Sequence, residues 1–510
     1  MTKTSQNITV IGAGINGLIA ANYLVRAGHQ VTLLERSDRV GGACVSETVE
    51  VDGIQQDYPL GATVLGLMQD YIWQETGLAD RLQIWAPAHP NLAFFPGTEQ
   101  PTRIYHDTLR LHQEFANKWG ERGDLAAFHT DEDRVIRFLQ AGYRAGQPPS
   151  IEKTVAELGV DLTALWITGS AKTLLDHYLS AERTKLYIAM NVTESGPVSL
   201  FEPYSAFIIP MMSSGSVFGG HYGFVRGGIW QITHELGLIN QELGVDLVLS
   251  CTVHEVDTKT GIVRYEDSTA SRMLHSDHIV FATDPQTAAY LTGDSALVQH
   301  TNKERVLGTA GKLNLMFRNP VRWKHRSEDS GSDSVFRYYF AMDTLAAFEA
   351  STLAVLDGED FAPGYFQIYC EGAGMRQLGL DEPYDRLTVF FKNLALGKTG
   401  EQLAGVAAEV KQIILSHIDN PEDCVWSRLL TPRDLQQTFG FPGGNIEHTM
   451  LVDGQCYANR SYSKDPNQRF YQFGAFENIS ICGSSTYPCG SVAGTPGYMC
   501  VSELQRFLHQ

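Results

Sequence analysis

Apolar and polar positions alternate with two different periods along this chain. NITVIG, Asn7 to Gly12, is a short β-branched run suited to a buried parallel strand. GLIAANYLVRAGH is an Ala/Leu-rich helix that ends at Gly28, and QVTLLE is a second strand finishing on Glu35. The stretch from Gly244 to Pro285 reads as several short strands with turns at TKTG and EDST, the last strand being HIVFATDP. LAAFHTDEDRVIRFLQAGY, Leu125 to Tyr143, repeats its apolar residues at three and four and predicts an amphipathic helix. AELGVDLTALWITGSAKTLLDHYL and SAFIIPMMSSGSVFGG are apolar and aromatic. YFQIYCEGAGMRQLG, Tyr365 to Gly379, is strand-like and then carries G-x-G. It lacks a third glycine at the right spacing and an Ala-rich helix, so it reads as a turn and not as a second dinucleotide site. GQPPS (Gly146 to Ser150) and HRSEDSGSDS (His325 to Ser334) read as loops, and no internal repeat appears.

Composition narrows the function class. At 510 residues the chain is long enough for about three units of ~150 residues. With 43% hydrophobic and 19% charged residues it is globular. A formal net charge of −19 argues against nucleic acid and disfavours an anionic membrane surface, although a local patch leaves peripheral membrane contact open. Strand-like sequence begins by Asn7, leaving no room for a signal peptide, and no run approaches the ~20 apolar residues of a membrane span. The eight cysteines contain no C-x-x-C pair, which points to reduced thiols in the cytoplasm and to no metal site.

Gly12, Gly14 and Gly17 form G-x-G-x-x-G between the first strand and its helix. In that arrangement Gly12 permits the tight turn, Gly14 admits a pyrophosphate, and Gly17 brings helix and strand together. Ile15 and Asn16 open the helix, whose N-terminal N–H groups and dipole suit phosphates. Glu35 at the end of the second strand suits a ribose diol. The continuation E-R-S-D-R-V-G-G-A places Arg36, Arg39 and the pair Gly41–Gly42 just after the acid. This extended fingerprint resembles that of the flavin-dependent amine oxidase and phytoene desaturase superfamily, which implies FAD rather than NAD, more simply non-covalent than covalent. Ala43 stands where many members carry Arg. The same resemblance marks Gly61, Ala62 and Val253 as cofactor contacts, Val253 by pairing its backbone with adenine, and FVRGGIWQITHEL as a helix start with Arg226 in place of a common Pro.

The C-terminal stretches LTPRDLQQTFGFPGGNIEHTMLVDGQCYANRSYSK and NISICGSSTYPCGSVAGTPGYMC resemble the branch that holds phytoene desaturase-like proteins, carotenoid isomerases and pyridine-nucleotide-disulfide-oxidoreductase-domain proteins. That resemblance implies a loop through Gly483, Ser484, Ser491 and Val492 beneath the flavin, followed by a helix whose N-terminus favours the reduced, anionic state. Cys489 and Ser491 occupy glycine positions of the family, so a positive φ at either would require a different loop. GTAGKLNLMFRNP resembles the strand whose lysine reaches flavin N5 through water, and Lys312 is the matching residue. His448 in GGNIEH is a candidate acid or base, or a residue bonding its own loop. Cys456 resembles a flavin-linking cysteine only superficially. Met211, Met212, Phe218, Tyr222 and Trp230 are candidates for a lipophilic tunnel or for plain core.

The expected fold is α/β, a discontinuous Rossmann-type FAD-binding domain (1–90, 222–290, 440–510) with a mixed α+β substrate domain (91–221, 291–439). The expected reaction is hydride removal from a hydrophobic small molecule, as in desaturation. Oxygen, a quinone or a diffusible acceptor would reoxidise the flavin. Three alternatives stand beside it: an amine or amino-acid oxidase, a redox-neutral isomerase using reduced FAD, and a catalytically lapsed scaffold.

Overall fold

A computed structural model of the chain describes residues 5–88, 91–325, 335–359, 361–463, 465 and 467–509. HRSEDSGSDS beyond His325 therefore lies outside the described residues. The first apolar run forms the strand Asn7–Ile11, buried at every position but its first. It is the centre of a five-stranded parallel sheet with the order Ile479–Ile481, His278–Phe281, Asn7–Ile11, Gln30–Leu34, Asp246–Val248. Strands from the beginning, middle and end of the sequence thus lie side by side.

The helix Ile15–Arg26 follows the first strand through the glycine loop. A methyl group at Gly17 would run into the carbonyl oxygen of Gly12, so the close passage of helix over strand depends on a missing side chain. Buried Asn22 and Asn240 fasten this helix to Gln231–Glu242. Asn22 Nδ2 donates to Asn240 Oδ1 (2.9 Å), and Asn240 Nδ2 donates to the Leu18 carbonyl (2.9 Å).

The second large sheet has seven strands in the order Cys424–Leu430, Gly311–Phe317, Asp385–Phe391, Tyr365–Tyr369, Phe336–Phe340, Asn91–Phe94, Thr102–Ile104. Its pairs are antiparallel except Phe336–Phe340 with Asn91–Phe94. Strand alternation splits its residues between two faces. Leu313, Leu315, Ile368, Leu387 and Val389 share one face and form an apolar cluster with Val406, Val410 and Ile414 of the helix Gly400–Leu415. The other face holds Lys312, Gln367 and Phe390, which belong to no such cluster.

The amphipathic pattern becomes the helix Leu125–Arg144, which buries Leu125, Phe128, Val135, Leu139 and Tyr143 and is capped by Asp124. GQPPS then leads into the helix Ile151–Leu158. One expectation needs correcting. After the strand Tyr365–Tyr369 comes not a turn but the helix Glu371–Gln377. Its glycines answer to packing: a Cβ on Gly374 would stand 2.7 Å from the Phe224 ring, and one on Gly372 would strike the Asp385 carboxylate. Tertiary contact has overridden helix propensity here. Among the described residues, no helix is long and apolar enough to cross a membrane.

Gly14, unlike Gly17, has its nearest neighbour 3.9 Å from a built Cβ. Gly17→Ala should therefore cost about 1–3 kcal/mol, whereas Gly14→Ala should leave the apo-protein within about 0.5 kcal/mol of wild type. Parallel denaturant unfolding of the two variants checks this, and equal losses would overturn the packing account.

Candidate functional site

Between the C-terminal ends of the parallel strands and the polar face of the seven-stranded sheet lies a cavity of about 520 Å³. Its first wall is the glycine loop. Gly41 donates its N–H to the Ala13 carbonyl (2.8 Å), and Gly41 bridges to Gly14, so the second glycine pair leans on the first. Glu35 ties the first glycine loop to the residues after the second strand, with Oε2 accepting from Ala13 N (2.8 Å) and Oε1 from Ser37 N (2.9 Å). Gly12, Gly14, Ile15, Asn16, Glu35 and Arg36 all line this end. Asn16 Oδ1 is buried there without a hydrogen-bond partner among the described residues.

The neighbouring wall comes from Gly42, Ala43, Gly61, Ala62 and Val253, the last on the strand Thr252–Asp257. Three expected contacts do not reach the cavity. Gly17 is used in packing, Arg39 is exposed, and Gly483 abuts the Thr283 carbonyl so closely that no Cβ fits. Arg226 is also elsewhere, its Nε donating to the Leu378 carbonyl (3.1 Å).

Ser484, Ser491 and Val492 form the C-terminal wall. Ser491 itself takes the left-handed conformation (φ 62°), while Cys489 does not. A buried carboxylate explains how Ser491 holds this conformation. Glu447 accepts from Gly490 N and, on Oε1, from the Ser491 hydroxyl (3.3 Å). Arg460, wholly buried, backs Glu447 by donating to the carbonyls of Glu447 (3.0 Å), Ser484 (2.7 Å) and Gln455 (3.1 Å). His448 follows with φ 64°, its ring 4.7 Å from that of Phe441, and its Nδ1 is buried without a partner among the described residues. Burial pushes the His448 imidazole down to about 4, so it is neutral at physiological pH. Cys456 is fully buried but lines no part of the cavity, and burial raises its thiol to about 12.

Lys312 stands on the polar face of the sheet and is 5% exposed. Its Nζ donates to the carbonyls of Pro59 (2.9 Å), Gly61 (2.9 Å) and Ala62 (3.4 Å). All three N–H groups of the ammonium are therefore directed at backbone. Burial pulls this amine down to about 7, against the pull of the Glu371 carboxylate. Of the five candidate tunnel residues, Met212 and Tyr222 line the cavity, and Met211, Phe218 and Trp230 do not.

Glu447, Glu194, Gln367, Tyr338 and Tyr369 were not found by sequence reasoning, although all but Glu447 line the cavity. A signal existed for two of them: in YFQIY the polar Gln367 and Tyr369 share one strand face, opposite Phe366 and Ile368. Glu194 and Glu447 come from a 3₁₀ turn and a loop that carry no such period.

A glycine loop closing a parallel sheet and a cavity reaching a second sheet form a site of the dinucleotide-binding type. The chain belongs to the family described as flavin containing amine oxidoreductase, which matches residues 15–360. The 4,4'-diapophytoene desaturase (4,4'-diaponeurosporene-forming) of Staphylococcus aureus strain COL is 27% identical over 95% of both chains. Pyridine nucleotide-disulfide oxidoreductase domain-containing protein 2 of Rattus norvegicus is 24% identical over 97% of this chain and 92% of its own. Among solved structures, cyclohexylamine oxidase from Brevibacterium oxydans aligns with a TM-score of 0.57 at 15% identity over 98% of both chains. The CLA-producing fatty acid isomerase of P. acnes aligns at 0.52 and 15% over 99% of both. These two likenesses concern the fold. The chain is thus an FAD-dependent oxidoreductase, and the free space at Gly14, before the N-terminus of the helix Ile15–Arg26, fits a bound dinucleotide.

The buried lysine gives a pH test. Its ordinary value is 10.5, so between about 7 and 10.5 the unfolded chain binds more protons than the folded one. This group therefore makes the fold more stable as pH rises through that window. Lys312→Met should flatten that slope and, by stranding three carbonyls, lower stability by about 1–3 kcal/mol. Thermal unfolding of both proteins from pH 6 to 10 checks it; an unchanged slope would contradict the assignment.

Proposed function

We propose that this protein dehydrogenates a hydrophobic small molecule, removing hydride from a saturated bond in a desaturase-like reaction. The observation that carries the reading is one continuous cavity, lined by the glycine loop at one end and by Tyr222, Tyr338, Phe336 and Phe390 at the other. The diapophytoene desaturase relative, matched over 95% of both chains, supports it. Bound FAD supplies the hydride acceptor of the reaction.

In this reading Gly12, Gly14, Ile15 and Asn16 hold the diphosphate, with Gly41, Gly42 and Ala43 closing over it. Glu35 and Arg36 take the adenosine ribose side and Val253 the adenine. Gly61, Ala62, Ser484, Ser491 and Val492 surround the flavin portion. Lys312 fixes the Pro59–Ala62 segment and places a titratable charge beside it. His448, neutral above about pH 4, orients a partner by hydrogen bonding and does not deliver a proton. The aromatic wall excludes water from the reacting centre.

We assign residues 1–90, 222–290 and 440–510 to the FAD-binding domain, and 91–221 with 291–439 to the substrate domain. The strand membership of the two large sheets supports this division. Eight free cysteines suit a reducing, cytoplasmic setting, and a diffusible acceptor, a quinone or oxygen takes the electrons.

Anaerobic titration of the oxidised holoenzyme with isoprenoid alkenes, primary amines and amino acids tests the reaction. Bleaching of the flavin absorbance by an alkene, with a product two hydrogens poorer, is expected. Bleaching by an amine alone would replace the reading with an amine oxidase.

A further inference from the structure

The seven-stranded sheet presents one transverse row to the cavity. Leu430 pairs with Lys312, Lys312 with Phe390, Phe390 with Gln367, and Gln367 with Tyr338. All five line the cavity. Beyond Lys312 this row is aromatic except at Gln367, and Gln367 is the entrance to a buried polar cluster. Its Nε2 donates to Glu194 Oε1 (3.3 Å), and its own Oε1 accepts from the Tyr369 hydroxyl. Tyr365 also donates to Glu194 Oε1, at 3.5 Å. On the far side, Lys392 Nζ is 3.1 Å from both Glu194 Oε2 and the Glu194 carbonyl, and lies 4.2 Å from the centre of the Phe390 ring.

A chamber built for a hydrocarbon gains nothing from a carboxylate in its wall, because an apolar occupant leaves that group's remaining lone pairs without partners. Glu194 lines the cavity, and the two bonds to its Oε1 are long. That oxygen retains capacity to accept a further hydrogen bond. The charge is already matched, however. Lys392 neutralises Glu194 from behind, so an ammonium group would gain little and a carboxylate would meet Glu194 directly. The complementary group is uncharged and donates a hydrogen bond.

We propose that the substrate is a hydrophobic molecule with a hydroxyl end group, and that Glu194, presented by Gln367, selects it. This assignment rests on the dehydrogenation reading above. The hydroxyl donates to Glu194 Oε1 while the apolar body lies along Tyr338, Tyr369 and Phe390.

The test is equilibrium binding to the oxidised holoenzyme, read as perturbation of the flavin absorbance, with four probes of one skeleton: farnesol, β-farnesene, farnesylamine and farnesoate. Farnesol should bind about tenfold more tightly than each of the others, the discrimination of one buried hydrogen bond. Gln367→Met, which leaves the Glu194–Lys392 pair intact, should reduce the preference over β-farnesene to within about twofold while flavin content holds. Glu194→Gln, which retains the shape but leaves Lys392 without its carboxylate, should narrow the preference too, at a lower thermal midpoint. The proposal is overturned if β-farnesene matches farnesol, if a charged probe binds tightest, if Gln367→Met keeps the preference, or if no probe perturbs the flavin. Binding is read without turnover, so failure of this selectivity and failure of the dehydrogenation reading are separate results.

Discussion

One buried lysine ties the seven-stranded sheet to the segment Pro59–Ala62. Lys312 stands on the antiparallel sheet, and its three N–H groups reach the carbonyls of Pro59, Gly61 and Ala62, a segment that begins where the hairpin Ser46–Val51, Ile54–Pro59 ends. That hairpin is fastened to the same sheet at further points. Tyr384 donates to the Val51 carbonyl (2.8 Å), Arg386 to the Asp57 carbonyl (3.3 Å), and Arg428 to Glu47 and Tyr58. An isolated buried charge is costly. Here each cation is met by carbonyls, hydroxyls or carboxylates, so the joint is specific in geometry as well as tight. Lys312, Gly61 and Ala62 all line the cavity, so the joint is part of its wall.

The same device recurs twice around the cavity. Arg460 and Glu447 support the C-terminal wall, and Lys392 with Glu194 forms part of the far wall. In both pairs the cation spends most of its donors on protein acceptors, leaving the carboxylate to do a second task. Glu447 uses its other contacts to hold Gly490 and Ser491. His448 and Ser491 both adopt positive φ beside it, conformations that cost on the order of 1 kcal/mol or more for residues with a Cβ. Such conformations persist only where several contacts over-determine them, and the Arg460 network supplies those contacts. The left-handed serine in place of a family glycine thus reflects a locally reinforced loop.

The cofactor half was largely legible in the sequence. Gly12, Gly14, Gly17 and Glu35 carry their message through short-range spacing, because strand, turn and helix are successive in the chain. Ala43 and Val253, taken from resemblance, also line the cavity. Arg39 and Gly483 lie outside the cavity lining for one physical reason: neighbours in sequence alternate between facing a cavity and supporting the backbone, and spacing alone does not say which. The YFQIYCEGAGMRQLG segment shows the converse limit. Its glycines signal a turn by propensity, yet Phe224 and Asp385, distant in sequence, make them helix-packing residues.

What the chain determined by itself is therefore the nucleotide fold and the amphipathic helix Leu125–Arg144, written in local periods and fixed spacings, while the identity of the cofactor came from family resemblance. Tertiary structure alone decided the chemistry of the chamber. Glu194, Gln367 and Lys392 lie up to 198 residues apart and meet only when sheet register aligns their strands with a 3₁₀ turn from another region. Hydrogen bonds of that range leave no periodic trace in the sequence. Burial is what gives them weight, and burial is a property of the assembled fold.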